Sequence, residues 1–285
     1  MPLTFVPTPL GNLRDITSRA LDALRDCTLI VAEDSRVARK LLSALKIPGK
    51  EIFSYREQNA HRVTGGILQR AREEHVAVIS DAGMPGISDP GTELVAAARE
   101  AGITVDVLPG PSAAIGAALL SGFPLRRFTF EGFPPRSKTL RQKAFRGALE
   151  LGIASIWFES PKRIAATLND LAAVDPAADV FLVREYTKRF EQQLSGNAQH
   201  VRDQLTAPVR GEVTFVVLPS ASKRLSRVPR RDIDAQIDAL LAKAQSVASI
   251  AKTLAAQGFG SRRDIYARAG ERKRRKHQAT TGKER

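Results

Sequence analysis

Val76-Ala77-Val78-Ile79-Ser80-Asp81-Ala82-Gly83-Met84-Pro85-Gly86-Ile87-Ser88-Asp89-Pro90-Gly91 is an apolar run followed by a loop dense in glycine and proline. The run reads as a buried strand, and the loop leads into a helical pattern over residues 92–100. A second unit of the same kind follows: the apolar run 103–108, the loop Pro109-Gly110-Pro111-Ser112-Ala113, and a helical pattern to residue 120. In open α/β sheets ligands bind beyond the carboxyl ends of the strands. Glycine there permits close backbone approach, and proline stiffens the loop. One such loop would pass as an ordinary strand-to-helix connection. Two of this length point to a ligand.

Working outward from these loops, strand and helix alternate. Strands are expected at residues 3–7, 28–32 and near Ile52, and helices at 16–25, 36–45 and 62–72. That order predicts an N-terminal α/β domain, residues 1–121, on a mostly parallel sheet with helices on both faces. Ser121-Gly122-Phe123-Pro124 breaks the pattern. A C-terminal α/β domain, residues 122–219, follows, with strands at 128–130, 153–158, 180–183 and 213–218. An extra strand and turn at 191–196 makes its sheet mixed. Residues 220–231 read as a basic linker. Residues 232–270 carry three short amphipathic helices, with Gly258-Phe259-Gly260 between the last two and Ser261/Asp264 as a capping box. The second and third resemble a helix-turn-helix. Residues 271–285 read as a disordered basic tail.

The 285 residues carry a net charge of +14, unevenly distributed. Residues 1–125 hold 13 Lys/Arg against 14 Asp/Glu, residues 126–219 hold 14 against 10, and residues 220–285 hold 17 against 6. A nearly neutral body with a basic end suits a polyanionic partner gripped by that end, the competing reading being a solubilising tail. The single cysteine, Cys27, excludes an internal disulfide, and four scattered histidines argue against a metal site. No apolar run is long enough to cross a membrane, and the N-terminus lacks the pattern of a secretory signal, so a cytoplasmic protein is expected.

Dinucleotide, Walker and serine-elbow motifs are absent. The chemistry therefore falls to loops at predicted strand ends, which carry Asp34, Asp81, Glu159 and Glu185. Singly, each reads as a helix cap or ion pair. Together on one rim they suit a site.

Thr8-Pro9-Leu10-Gly11-Asn12, Ala32-Glu33-Asp34-Ser35-Arg36, Ser80-Asp81-Ala82-Gly83, Pro109-Gly110-Pro111-Ser112-Ala113, Glu159-Ser160-Pro161 and Arg184-Glu185-Tyr186-Thr187-Lys188 resemble, in order, the tetrapyrrole-methylase superfamily. More closely, they resemble its ribosomal RNA small subunit methyltransferase I branch. The resemblance covers about residues 1–219. It implies S-adenosylmethionine held in a cleft between the two α/β domains, usually in a homodimer. It also implies 2′-O-methylation of a cytidine ribose in 16S rRNA of the small ribosomal subunit. Carried over by position, cofactor contacts come from Leu10, Asp81, Ala82, Gly83, Met84, Ser112 and Ala113. Relatives acting on tetrapyrroles tend to show Gly-Asp-Pro where this chain has Ser80-Asp81-Ala82-Gly83.

A 2′-hydroxyl is a weak nucleophile and needs a base within hydrogen-bond reach. Glu185 and Asp34 are the candidates, with Lys188 as an electrostatic stabiliser; Glu185 and Lys188 alternatively form an ion pair. Lys138, Arg141, Lys143 and Arg146 on one predicted helix, with Arg262, Arg263 and Arg268 in the helical module, are candidate RNA contacts. A solvated helix face is the competing reading of the first group. The alternatives are a tetrapyrrole C-methyltransferase, which leaves the basic module unexplained, and a nucleic-acid-binding regulator, which leaves the carboxylates idle.

Overall fold

Short apolar runs make the inner strands of the first sheet. β1 (Leu3–Phe5), β2 (Leu29–Ala32) and β4 (Val76–Ile79) are buried at every residue, as strands covered on both faces must be. With β3 (Glu51–Ser54) and β5 (Val105–Val107) they form a parallel sheet of order β3-β2-β4-β1-β5. Alternate residues serve opposite faces. Leu3, Phe5, Leu29, Val31, Val76 and Val78 join one core, and Val6, Ile30, Ala32, Ala77 and Ile79 the other. Helices α1 (Ser18–Asp26), α2 (Ser35–Ala44), α3 (Ala60–Glu73) and α4 (Thr92–Glu100) cover those faces. The first helix starts two residues later than its pattern predicts, because the Thr17 hydroxyl caps it, accepting from the Ala20 N–H at 3.1 Å.

After α5 (Ala113–Leu120) the second sheet is built from β6 (Phe128–Gly132), β7 (Ala154–Glu159), β8 (Asp179–Arg184), β9 (Gln192–Asn197) and β10 (Val213–Leu218). Its order is β6-β7-β10-β8-β9. Only β6 and β7 are parallel, and β10 runs antiparallel to both its neighbours. Helices α6 (Lys138–Glu150), α7 (Ile164–Val174) and α8 (Ala198–Asp203) pack on one face through Phe145, Leu149, Leu168, Leu171 and Val201. Helix α5 packs on the other, its Ala114, Ala117 and Ala118 lying against Ile156, Phe181 and Val216. The parallel-then-mixed α/β architecture expected from sequence is present.

The computed structural model describes residues 2–206, 208–222, 230–256 and 259–281. Both sheets belong to one compact unit ending at Leu218; Glu150–Gly152 and the residues from Pro219 onward form another. The second unit contains α9 (Arg230–Ala242), α10 (Val247–Ala256) and α11 (Arg262–Thr281) around Ile233, Ile237, Ile250, Leu254 and Ile265. The capping box forms: the Ser261 hydroxyl accepts from the Asp264 N–H at 3.1 Å and donates to its carboxylate at 2.7 Å. Gly258 of the expected break and most of the basic linker lie outside the described residues. Helix α11 runs past Glu271, where the sequence reading places the start of a disordered tail. No proline follows, and Arg272 is held by Asp238, its Nε donating at 3.0 Å; both favour continuing the helix.

Candidate functional site

Strand order creates the site. β1 lies between β4 and β5, so the loops leaving these three strands emerge side by side. The first and second are joined by a two-way backbone bridge. Thr8 N–H donates to the Gly83 carbonyl at 2.9 Å, and Gly83 N–H donates to the Thr8 carbonyl at 3.0 Å. The third packs so closely on the first that a Cβ on Gly110 would lie 2.6 Å from Pro7 Cβ. Gly83 has φ +79°, and a Cβ there would meet Leu10 Cδ2 at 2.9 Å. Only glycine fits that turn at low cost. Ser112 then caps α5, accepting from Ile115 N–H at 3.4 Å.

Leu10, Asp81, Ala82, Gly83, Met84, Ser112 and Ala113, the seven positions named from the resemblance, all line one cavity of about 410 Å³. That volume is in the range of small-molecule sites. The opposite wall comes from the second sheet: Phe133, Phe158 to Pro161, and Gly211 to Thr214. Phe158 is held edge-on by Phe130 and Phe133, with centroids 5.1 and 5.7 Å away. A second cavity of about 490 Å³ adjoins the first, and Glu33, Ser88 and Asp89 line both.

The carboxylates divide sharply. Burial pushes Asp89 up to about 6, reinforced by the charges of Glu33, Asp81 and Glu212 against the hydrogen bond of Ser80. Burial also raises Glu33, with Asp81 and Asp34 adding to it against Arg56. Asp81 is raised by burial, although its Oδ1 accepts from Asp34 N–H at 3.2 Å. Asp34 goes the other way: Arg36, through its guanidinium and its N–H, holds the carboxyl well below the usual range. It caps α2, accepting from Arg36 N–H at 2.8 Å, and does not line the cavity. A paired carboxylate that resists protonation and lies off the cavity lining is disfavoured as a base.

Glu185 and Lys188 form the ion pair. Lys188 Nζ donates to Glu185 Oε1 at 2.9 Å and to Glu212 Oε2 at 3.1 Å, and Glu212 N–H donates to Glu185 Oε1 at 3.0 Å. Burial would raise Glu185, but Lys188 and the Glu212 N–H outweigh it and lower its pKa. Burial would lower Lys188, and its two carboxylates raise it instead. Neither side chain lines the cavity. Their packing shapes it: a Cβ on Gly211, at φ +86°, would fall 2.1 Å from Glu185 Oε1. Glu159 is buried and saturated, accepting from Thr167 Oγ1 at 2.6 Å and Ser160 N–H at 2.8 Å, with Arg163 3.3 Å away.

Among the candidate RNA contacts, Lys138, Lys143, Arg146, Arg262 and Arg263 are exposed. Arg141 is not available: it is buried against Asp170, Nε donating at 2.8 Å, with Nη1 on the Pro135 and Arg136 carbonyls. Arg268 is tied to Asp234 within the helical module, Nε donating at 2.8 Å. Both are corrections with one cause. Helical spacing alone does not say which cation meets an internal carboxylate.

Sequence reading missed Asp89, Glu33 and residues 211–214. Asp89 lay inside the quoted loop, but nothing in the sequence showed that its loop folds back between two cavities. Gly211 and Glu212 lead into β10, and Val213 and Thr214 begin it, so none of them follows a strand. They reach the rim because β10 is antiparallel to β7, pairing Val213 with Glu159 and Thr214 with Phe158. Among the described residues no His/Cys/Asp/Glu group could hold a metal ion, and no helix is long and apolar enough to cross a membrane.

The family profile described as Tetrapyrrole (Corrin/Porphyrin) Methylases matches residues 2–202. A ribosomal RNA small subunit methyltransferase I of Thermotoga maritima is 41% identical over 218 residues, 75% of this chain and 97% of the relative. Its namesake in Synechocystis is 35% identical over 267 residues, 93% of this chain and 95% of the relative. Among solved structures, diphthine synthase superposes with a TM-score of 0.61 at 15% identity, covering 79% of this chain and 94% of that one. Uroporphyrin III C-methyl transferase from Thermus thermophilus does so at 0.56 and 18%, covering 76% and 97%. These two likenesses concern the fold.

Proposed function

The chain belongs to the tetrapyrrole methylases and, among them, to the ribosomal RNA small subunit methyltransferase I family, and from that premise we propose that it methylates the ribose 2′-oxygen of a cytidine in 16S rRNA, using S-adenosylmethionine. The observation that carries the reading is the gathering of all seven cofactor positions on one cavity, with a titratable carboxylate at its border. The residues fit the cofactor. Leu10, Met84 and Ala113 with the second-sheet phenylalanines offer apolar surface to an adenine. Asp81 and Glu212 offer negative charge to a sulfonium and an ammonium, and the capped start of α5 suits a carboxylate. When bound, S-adenosylmethionine supplies an electrophilic methyl group and leaves as its neutral thioether.

The chain's own part is to hold the hydroxyl in line and take its proton. Asp89 is the base: its carboxylate is ionised at neutral pH, yet raised enough to accept a proton as the 2′-oxygen bonds carbon. Positioning by the rigid triple loop supplies much of the remaining rate. The flanking phosphates are met by exposed cations, Lys138, Lys143 and Arg146 on α6 and Arg262 and Arg263 on α11. Helix α5 leaves Ile115 56% and Leu119 75% exposed, an apolar face that a second copy would cover; light scattering of the purified chain measures that directly. The setting is cytoplasmic, where the small subunit is.

The test is transfer of labelled methyl to unmodified small subunits, with free rRNA and a tetrapyrrole precursor run in parallel. Label recovered in 2′-O-methylcytidine after digestion is the expected result. Label in the tetrapyrrole alone overturns it. Removing residues 219–285 should spare cofactor binding and weaken RNA binding, with a shallower dependence on salt.

A further inference from the structure

The second cavity contains none of the seven positions named for the cofactor, and its chemistry is selective. Its lining holds Glu33, Glu57, Asp89 and Glu93 against a single cation, Arg56. Such a wall repels phosphate and favours an uncharged group rich in N–H donors. Tyr55, 2% exposed, lines the same cavity, and among the described residues its buried hydroxyl has only a loose contact with Thr64. Buried polar groups are seldom left so, unless a ligand or water satisfies them. Glu33 is held by its backbone, its carbonyl accepting from Arg56 Nε at 3.0 Å and Ser54 Oγ at 3.2 Å. Its half-buried carboxylate has no hydrogen-bond or ion-pair partner among the described residues, and it borders both cavities.

We propose that this cavity receives the base of the target nucleotide, splayed out of the RNA, and that Glu33 accepts a hydrogen bond from the exocyclic amino group of cytosine. The proposal rests on the 2′-O-methylation reading and adds to it the location of the base and the residue that reads it. The two cavities meet at Ser88 and Asp89. A base in the second therefore sets its ribose beside Asp89 and the first. Carboxylate acceptance from the cytosine amine distinguishes it from uracil, which presents a carbonyl oxygen at that position and meets the carboxylate with repulsion. Extrusion of a nucleotide into a pocket is the usual way for an enzyme to reach a buried atom of structured RNA.

The experiment compares kcat/KM on reconstituted small subunits carrying cytosine or uracil at the target position, for the wild type, Glu33→Gln and Glu33→Ala. Calorimetry with S-adenosylmethionine confirms that each variant is folded and binds cofactor. The expected result is a wild-type preference for cytosine of about ten- to a hundredfold, reduced severalfold or more in both variants because the cytosine substrate alone suffers. Equal losses on the two substrates would show that Glu33 does not read the base and would overturn the proposal. If the wild type labels no RNA but does label a tetrapyrrole precursor, the 2′-O-methylation reading itself fails, and the subsite fails with it.

Discussion

The carboxylates that line the cavity from the first sheet differ from those of the second, and Asp34, paired with Arg36 at the end of β2, behaves like the second set. Around the first sheet, Glu33, Asp81 and Asp89 line the cavity with pKa values raised by burial. Around the second, Glu159 is saturated by Thr167, Ser160 and Arg163, and Glu185 is lowered by Lys188 and the Glu212 N–H. The first set is available for protons and ligands. The second braces a wall. The partners differ in origin: Glu159 is met by its own following segment and α7, whereas Glu185 is met by Lys188 and by Glu212 at the start of antiparallel β10. Lying at a strand end therefore does not mark a carboxylate as reactive. What its neighbours have already donated to it decides.

Substitutions can break this contrast, and the largest effect belongs to the proposed base. Asp89→Asn should lower kcat by about a hundred- to ten-thousandfold, with the cofactor still bound in calorimetry. The wild-type rate should rise with pH through about 6 as Asp89 ionises and level off above it. A variant that keeps both rate and pH profile would make Asp89 another bracing carboxylate. Next comes the buried pair of the second half. Arg141→Met leaves the Asp170 charge uncompensated and should destabilise the fold by about 3–5 kcal/mol in denaturant titration. Wild-type stability would mean that Arg141 is free for RNA after all. Asp81→Ala should weaken cofactor binding by about tenfold or more, the scale of one hydrogen bond to a charged group, without loss of stability. The smallest change on turnover is expected for Glu185→Gln, within about threefold, since amide and carboxylate brace the loop alike and a partly exposed pair contributes only about 1 kcal/mol. Because Glu185 is lowered in the fold, that contribution is present above the ordinary glutamate value and lost as pH falls through the depressed one. A large fall in kcat would restore Glu185 as the base.

Legibility in the sequence followed the range of the interactions concerned. Strand and helix alternation comes from local periodicity, so the parallel sheet, the mixed sheet and the extra strand β9 were readable. The loops that line the cavity were readable because their glycines and prolines lie contiguously in the chain. The proposed base was not, because Asp34, Glu185 and Asp89 look alike until Arg36, Lys188 and the burial of residue 89 are placed. Arg141 and Arg268 were hidden for the same reason: their partners, Asp170 and Asp234, lie 29 and 34 residues away.

The entry of the chain into β10 has a further consequence. Gly211 and Glu212 reach the rim just ahead of β10, which is locked between β7 and β8. The Glu212 side chain is 71% exposed, so its charge can change without shifting any strand register. Replacing it would alter the potential on one side of the cavity mouth and leave the glycine-proline loops of the first sheet untouched. For an engineer seeking a different RNA target on the same methyl-transfer machinery, that position is the dial to turn.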